Sequence, residues 1–131
     1  TKGLKVTPET VILASIVERE SLGDEDRSQI AGVYANRIKQ GIRLEADPTI
    51  QYAKGNWAAV SLAEYKSVIS PYNTYLNDSW PPGPICSPGL KSLEAAAKPA
   101  THDYLYFFHA KGQTYFSKTY AEHAAKVRQY F

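Results

Sequence analysis

Apolar positions crowd into one short stretch near the start of the chain. Val11, Ile12, Leu13, Ala14, Ile16 and Val17 leave almost no polar face over two turns, and a helix that is apolar all round is a buried helix. Thr7 is a good N-cap ahead of Pro8, and Glu9 sits where the helix dipole favours an anion. With Gly23 as a stop, the pattern predicts a core helix whose last turn carries Glu18, Arg19, Glu20 and Ser21. A second helix is predicted over 26–40, where Ile30, Val33, Tyr34, Arg37 and Ile38 recur at helical spacing before Gly41. Residues 42–52 read as a loop entering a short extended stretch, because Pro48 disfavours helical geometry at Asp47. Ser61 and Glu64 form a capping box for a short helix.

Residues 70–89 are the least regular, with five prolines, two glycines and Tyr72, Tyr75 and Trp80 among them. A long irregular segment with this many aromatics suggests an ordered functional loop. A helix is predicted over 90–98, stopped by Pro99. Two strands, 104–108 and 113–116, are joined by His109-Ala110-Lys111-Gly112 as a hairpin. A capping box at Thr119 and Glu122 opens a last helix to about residue 130. Four or five helices with one short sheet make a small α+β domain. With no repeat or boundary in sight, the reading is one domain over 1–131.

Composition narrows the function. The chain is 44% hydrophobic and 21% charged, so it can bury a core and is not of disordered type. A net charge of +2 from 15 basic and 13 acidic residues is too balanced for a nucleic-acid binder. Cys86 is the lone cysteine; no intramolecular disulfide can form, and a Pro-rich turn suits a structural residue better than a nucleophile. No apolar run approaches the ~20 residues that span a membrane, and the chain reads as an excised part of something longer. There is no Gly-rich phosphate loop, no metal-ligand spacing of His or Cys and no Gly-x-Ser-x-Gly elbow. The chemistry is left to carboxylates.

Glu20 ends a helix whose preceding turns are apolar, so its carboxyl is partly desolvated, and a helix C-terminus further disfavours the anion. A carboxyl kept protonated near neutral pH is what general-acid cleavage of a glycosidic bond needs; the plainer reading is a solvated Glu in a frayed turn. Glu18 points about 200° away, so the two cannot share a site, and spacing alone does not say which faces inward. Asp47 offers a second carboxylate or an Asx-turn acceptor. Tyr72-Asn73-Thr74-Tyr75 has the amide, hydroxyl and ring groups of a sugar site, or of a packed Tyr pair with a turn Asn.

Taken in order, Leu13-Ala14-Ser15-Ile16-Val17-Glu18-Arg19-Glu20-Ser21, Asn36-Arg37, Leu44-Glu45-Ala46-Asp47-Pro48-Thr49, Tyr72-Asn73-Thr74-Tyr75, Pro81-Pro82-Gly83-Pro84-Ile85, Ser87-Pro88-Gly89 and Tyr104-Leu105-Tyr106-Phe107 resemble the catalytic domain of the MltG/YceG-like endolytic murein transglycosylases. The resemblance covers nearly the whole chain. It implies a lysozyme-like catalytic core and places the catalytic Glu at Glu20, within a Glu18-Arg19-Glu20-Ser21 segment where the family has Glu-Lys-Glu-Thr. Ser21, Asp47, Gln51, Asn73 and Tyr75 are expected as substrate contacts, with no cofactor or metal, and the resemblance implies peptidoglycan glycan strands as the partner. The expected reaction leaves 1,6-anhydro-muramyl ends and limits nascent strand length. Members are anchored by an N-terminal helix to the extracytoplasmic face of the bacterial cytoplasmic membrane and carry a LysM-like module; neither is expected in this soluble fragment. Peptidoglycan synthases are conceivable partners of the parent protein. A muramidase-type hydrolase using Glu20 and Asp47, and a non-catalytic peptidoglycan-binding module, are the alternatives.

Overall fold

A computed structural model describes residues 5–131; the first four residues of the single domain read from the sequence lie outside it. The order is α1 (Pro8–Glu20), α2 (Asp24–Gln40), α3 (Asp47–Lys54), α4 (Glu64–Ser67), α5 (Leu90–Ala97), β1 (Tyr106–Ala110), β2 (Gln113–Ser117) and α6 (Tyr120–Tyr130). The α+β architecture is as expected, with six helices among the described residues where four or five were counted.

The apolar helix is the axis of the molecule. Thr7 caps α1 reciprocally with Thr10, and Ile12, Leu13, Ala14, Ile16 and Val17 are buried. They pack with Ile30 and Tyr34 of α2, Leu44, Ile85, and Ala95 and Ala96 of α5. Each fully buried Ile or Val contributes about 1.5–3 kcal/mol. Ser15 is a buried polar residue inside this core. Its hydroxyl donates to the Ile12 carbonyl (2.7 Å) and accepts from the Ile85 N–H (3.0 Å), while Cys86 Sγ donates to the Ser15 carbonyl (3.3 Å). The Pro-rich segment is thereby pinned to α1. Burial pushes the Cys86 thiol up, which fits its structural reading.

Two boundaries differ from expectation. Gly23 does not stop α1; it is the N-cap of α2, which begins at Asp24 because the Asp26 carboxylate reaches back to the N–H groups of Leu22 (3.0 Å) and Gly23 (3.2 Å). Residues 47–54 are helical, not extended. Proline is disfavoured only after a residue already inside a helix; Asp47 and Pro48 start one, where the missing N–H costs nothing.

The motif Asn36-Arg37 is structural. Asn36 Nδ2 donates to the carbonyls of His102 (2.8 Å) and Tyr104 (2.9 Å), and Arg37 Nε to that of Leu105 (2.7 Å). Together they lay the strand β1 against α2. The close approach requires Gly32, since a Cβ there would lie 2.5 Å from the Ala100 carbonyl oxygen and 2.6 Å from His102 Nε2. The hairpin forms with Tyr106 opposite Ser117 and Ala110 opposite Gln113. Its turn is only Lys111-Gly112, both at positive φ (52° and 74°), the geometry that matches strand twist. His109, read as a turn residue, is therefore in β1.

Candidate active site

Glu20 is the last residue of α1. Its carboxyl opens into a cleft of about 630 Å³, within the range of small-ligand sites. The walls come from segments far apart in the sequence. α2 supplies Val33, Tyr34 and Arg37; the segment entering α3 supplies Leu44, Glu45 and Asp47; the irregular loop supplies Tyr75. The facing wall is Leu105 with β1 residues 106–109, closed by Tyr120 and His123 of α6.

Burial pushes the Glu20 carboxyl up from its ordinary value near 4.5 to about 7, opposed by a hydrogen bond from Tyr34 and helped by the negative charges of Asp47 and Asp26. Tyr34 Oη donates to Glu20 Oε2 at 2.7 Å. Burial and the neighbouring Glu20 hold the Tyr34 phenol well above its usual range, so it stays a donor. With Oε2 occupied, the proton of the acid form belongs on Oε1. Asp47 accepts from Tyr75 Oη (2.7 Å) and Tyr65 Oη (3.0 Å). Both phenols are shifted upward, by burial first and by Asp47 next. Asp47 thus places a negative charge beside the Glu20 carboxyl and fixes the Tyr75 ring on the cleft wall.

Glu18 does something else. Its Oε1 accepts from the Gly89 N–H (2.9 Å) and the Ser92 hydroxyl (2.9 Å), capping α5 from outside. These bonds hold its carboxyl below the usual range.

The sequence model of the YceG-like family matches residues 1–129. This chain belongs to the YceG-like family. It is 41% identical over 119 residues to the endolytic murein transglycosylase of Bacillus subtilis, covering 90% of this chain and 33% of that protein. It is 35% identical over 129 residues to the endolytic murein transglycosylase of Streptococcus pneumoniae, covering 93% of this chain and 23% of that one. The chain thus spans about a third or less of these curated relatives. A crystal structure of a YceG-like protein from Listeria monocytogenes superposes with a TM-score of 0.86 at 41% identity, over 90% of this chain and 39% of that one.

In this YceG-like domain Glu20, Asp47 and Tyr75 meet at one cleft. The other expected contacts stand elsewhere. Asn73 is fully buried; its amide donates to the carbonyls of Val68 (2.8 Å) and Tyr65 (3.2 Å), and its Oδ1 accepts from the Tyr75 N–H (2.8 Å). It shapes the loop that presents Tyr75, and its polar groups are already occupied. Gln51 is spent on the carbonyls of Trp57 (3.0 Å) and Ala58 (3.1 Å), and Ser21 Oγ on that of Val17 (2.7 Å). None of these three lines the cleft. The motifs around Asp47 and Asn73 also hold each other, because Thr74 Oγ1 accepts from the Ala46 N–H (2.8 Å) and lies 2.9 Å from Thr49 Oγ1.

Tyr34, His109 and the aromatic wall of β1 and α6 were not foreseen. Tyr34 reads as core from its helical spacing. The available signal is that a buried Tyr hydroxyl needs a partner, and Glu20 is that partner.

Proposed function

We propose that this YceG-like domain is a lytic transglycosylase domain that cuts peptidoglycan glycan strands internally, with Glu20 as its acid and base. The observation that carries the reading is the Glu20 carboxyl, raised to about 7 in an aromatic-walled cleft. Relatives named endolytic murein transglycosylases support the same assignment.

In this account a glycan strand lies along the cleft with sugar faces against its rings. Glu20 Oε1 gives its proton to the oxygen joining N-acetylmuramic acid to N-acetylglucosamine, and the C1–O bond breaks. The muramyl acetamide stabilises the cationic centre. Glu20, now a carboxylate held by the Tyr34 hydroxyl, takes the proton of the muramyl C6 hydroxyl as that oxygen bonds to C1. The products are a free N-acetylglucosamine end and a 1,6-anhydro-muramyl end. No water is consumed, and Glu20 is returned protonated. Internal cleavage of this kind would limit nascent strand length, and the substrate puts the parent protein at the extracytoplasmic face of the bacterial membrane.

A second reading is favoured by Asp47 in the same cleft: two carboxyl groups could instead direct a water, as in a muramidase. Mass spectrometry of products from purified glycan strands separates the two. Transglycosylation yields anhydro ends that Glu20→Gln abolishes; reducing ends would establish the hydrolase, and turnover by a folded Glu20→Gln variant would remove Glu20 from the chemistry.

A further inference from the structure

We propose that His109 is a positioning residue for Glu20, its ring tying the Glu20 carbonyl through Thr114 to Asp26. The inference rests on the reading of Glu20 as the acid and base. His109 and Thr114 are cross-strand partners in the hairpin. His109 Nε2 lies 2.7 Å from the Glu20 carbonyl oxygen, and Nδ1 lies 2.8 Å from Thr114 Oγ1. Thr114 Oγ1 in turn donates to Asp26 Oδ2 at 2.8 Å.

The donors can be counted. A carbonyl oxygen only accepts, so Nε2 must carry a proton. The Thr114 hydroxyl has one proton. A carboxylate only accepts, so that proton goes to Asp26, which also takes the N–H groups of Leu22 and Gly23, and Thr114 Oγ1 bridges Asp26 to His109 Nδ1.

The role follows from the place of contact. The last carbonyls of a helix have no intrahelical partner, and Glu20 is the last residue of α1. The Nε2–H satisfies that carbonyl, and the ring with Thr114 fastens the frayable end of α1 to α2 and β2. Around the ring, α1 presents Glu20 and α2 presents Asp26, while Arg37, Glu45, Asp47 and His123 share its cleft.

The test joins ring ¹⁵N NMR near neutral pH with kinetics on purified glycan strands. Wild type is expected to show a proton on His109 Nε2, hydrogen-bonded to the Glu20 carbonyl, and Thr114→Ser to keep that pattern. His109→Phe should lose kcat on the order of tenfold to a hundredfold, the scale of a small misplacement of a catalytic group, with KM held. His109→Gln, whose amide reaches the Nε2 position, should restore most of it. Should His109→Phe not fold, His109→Asn, too short to reach the Glu20 carbonyl, carries the same expectation. A wild-type ring without a proton on Nε2, or wild-type kcat without a donor to that carbonyl, overturns the proposal. The NMR arm needs no turnover, so the two ideas fail separately. An active Glu20→Gln variant strikes down the reading of Glu20 and the positioning role with it, whatever the ring shows.

Discussion

Glu18 and Glu20 leave the same helical turn about 200° apart and meet opposite surroundings. On the Glu18 side, the start of α5 offers an N–H and a hydroxyl to a carboxylate that remains partly in water, and its affinity for protons falls. On the Glu20 side, the cleft offers one phenol, buried apolar walls and two nearby acids, and the affinity rises. The local sequence is nearly the same. What differs is which element packs against each face, and this turns one carboxyl into a helix cap and the other into an acid.

The contrast is sharpest in activity. Glu20→Gln should cost about 10²- to 10⁴-fold in kcat, the range of a lost general acid, whereas Glu18→Gln should keep kcat near wild type. Steady-state release of glycan fragments measures both.

Stability should run in opposite directions with pH. The folded pKa of Glu20 lies above its unfolded value, so folded protein binds more protons between about 4.5 and 7 and loses stability as pH rises through that window. The loss is on the order of 3 kcal/mol at pH above 7. Glu20→Gln should therefore be more stable than wild type by that order in mild alkali and nearly equal to it in acid, by urea unfolding. The folded pKa of Glu18 lies below its unfolded value, so its stabilisation is present above about 4.5 and is lost as pH falls through the folded pKa. Glu18→Ala should cost about 1 kcal/mol at neutral pH, the scale of a lost helix cap, and less in acid.

Two smaller effects bear on the Glu20 side alone. The Tyr34 bond lowers the Glu20 pKa and the Asp47 charge raises it. Tyr34→Phe should move the alkaline limb of kcat/KM to higher pH and Asp47→Asn should move it lower. Shifts in the same direction would contradict the assignment of these two neighbours.

Much of this fold could be read from the chain because its local signals agree. The Thr7 and Thr119 caps and the Gly41 stop form where the pattern puts them, and the hairpin forms with its first strand shifted from 104–108 to 106–110. The site was legible only in part. Glu20 stood out because its helix is apolar, yet spacing could not separate it from Glu18, since the difference lies in α5 and β1, far along the sequence. Asn73 has the right chemistry for a sugar and the wrong address: an amide that can satisfy three backbone groups in a tight loop is drawn inward. His109 was hidden by the hairpin boundary, because the two-residue turn leaves it in the strand, facing the end of α1.

A carboxyl-detected ¹³C NMR titration of the two glutamates tests the central claim most directly. The account predicts that Glu20 titrates near pH 7 while Glu18, in the same sample, titrates below the ordinary glutamate range. A Glu20 midpoint at the ordinary value near 4.5, indistinguishable from a solvated glutamate, would contradict it.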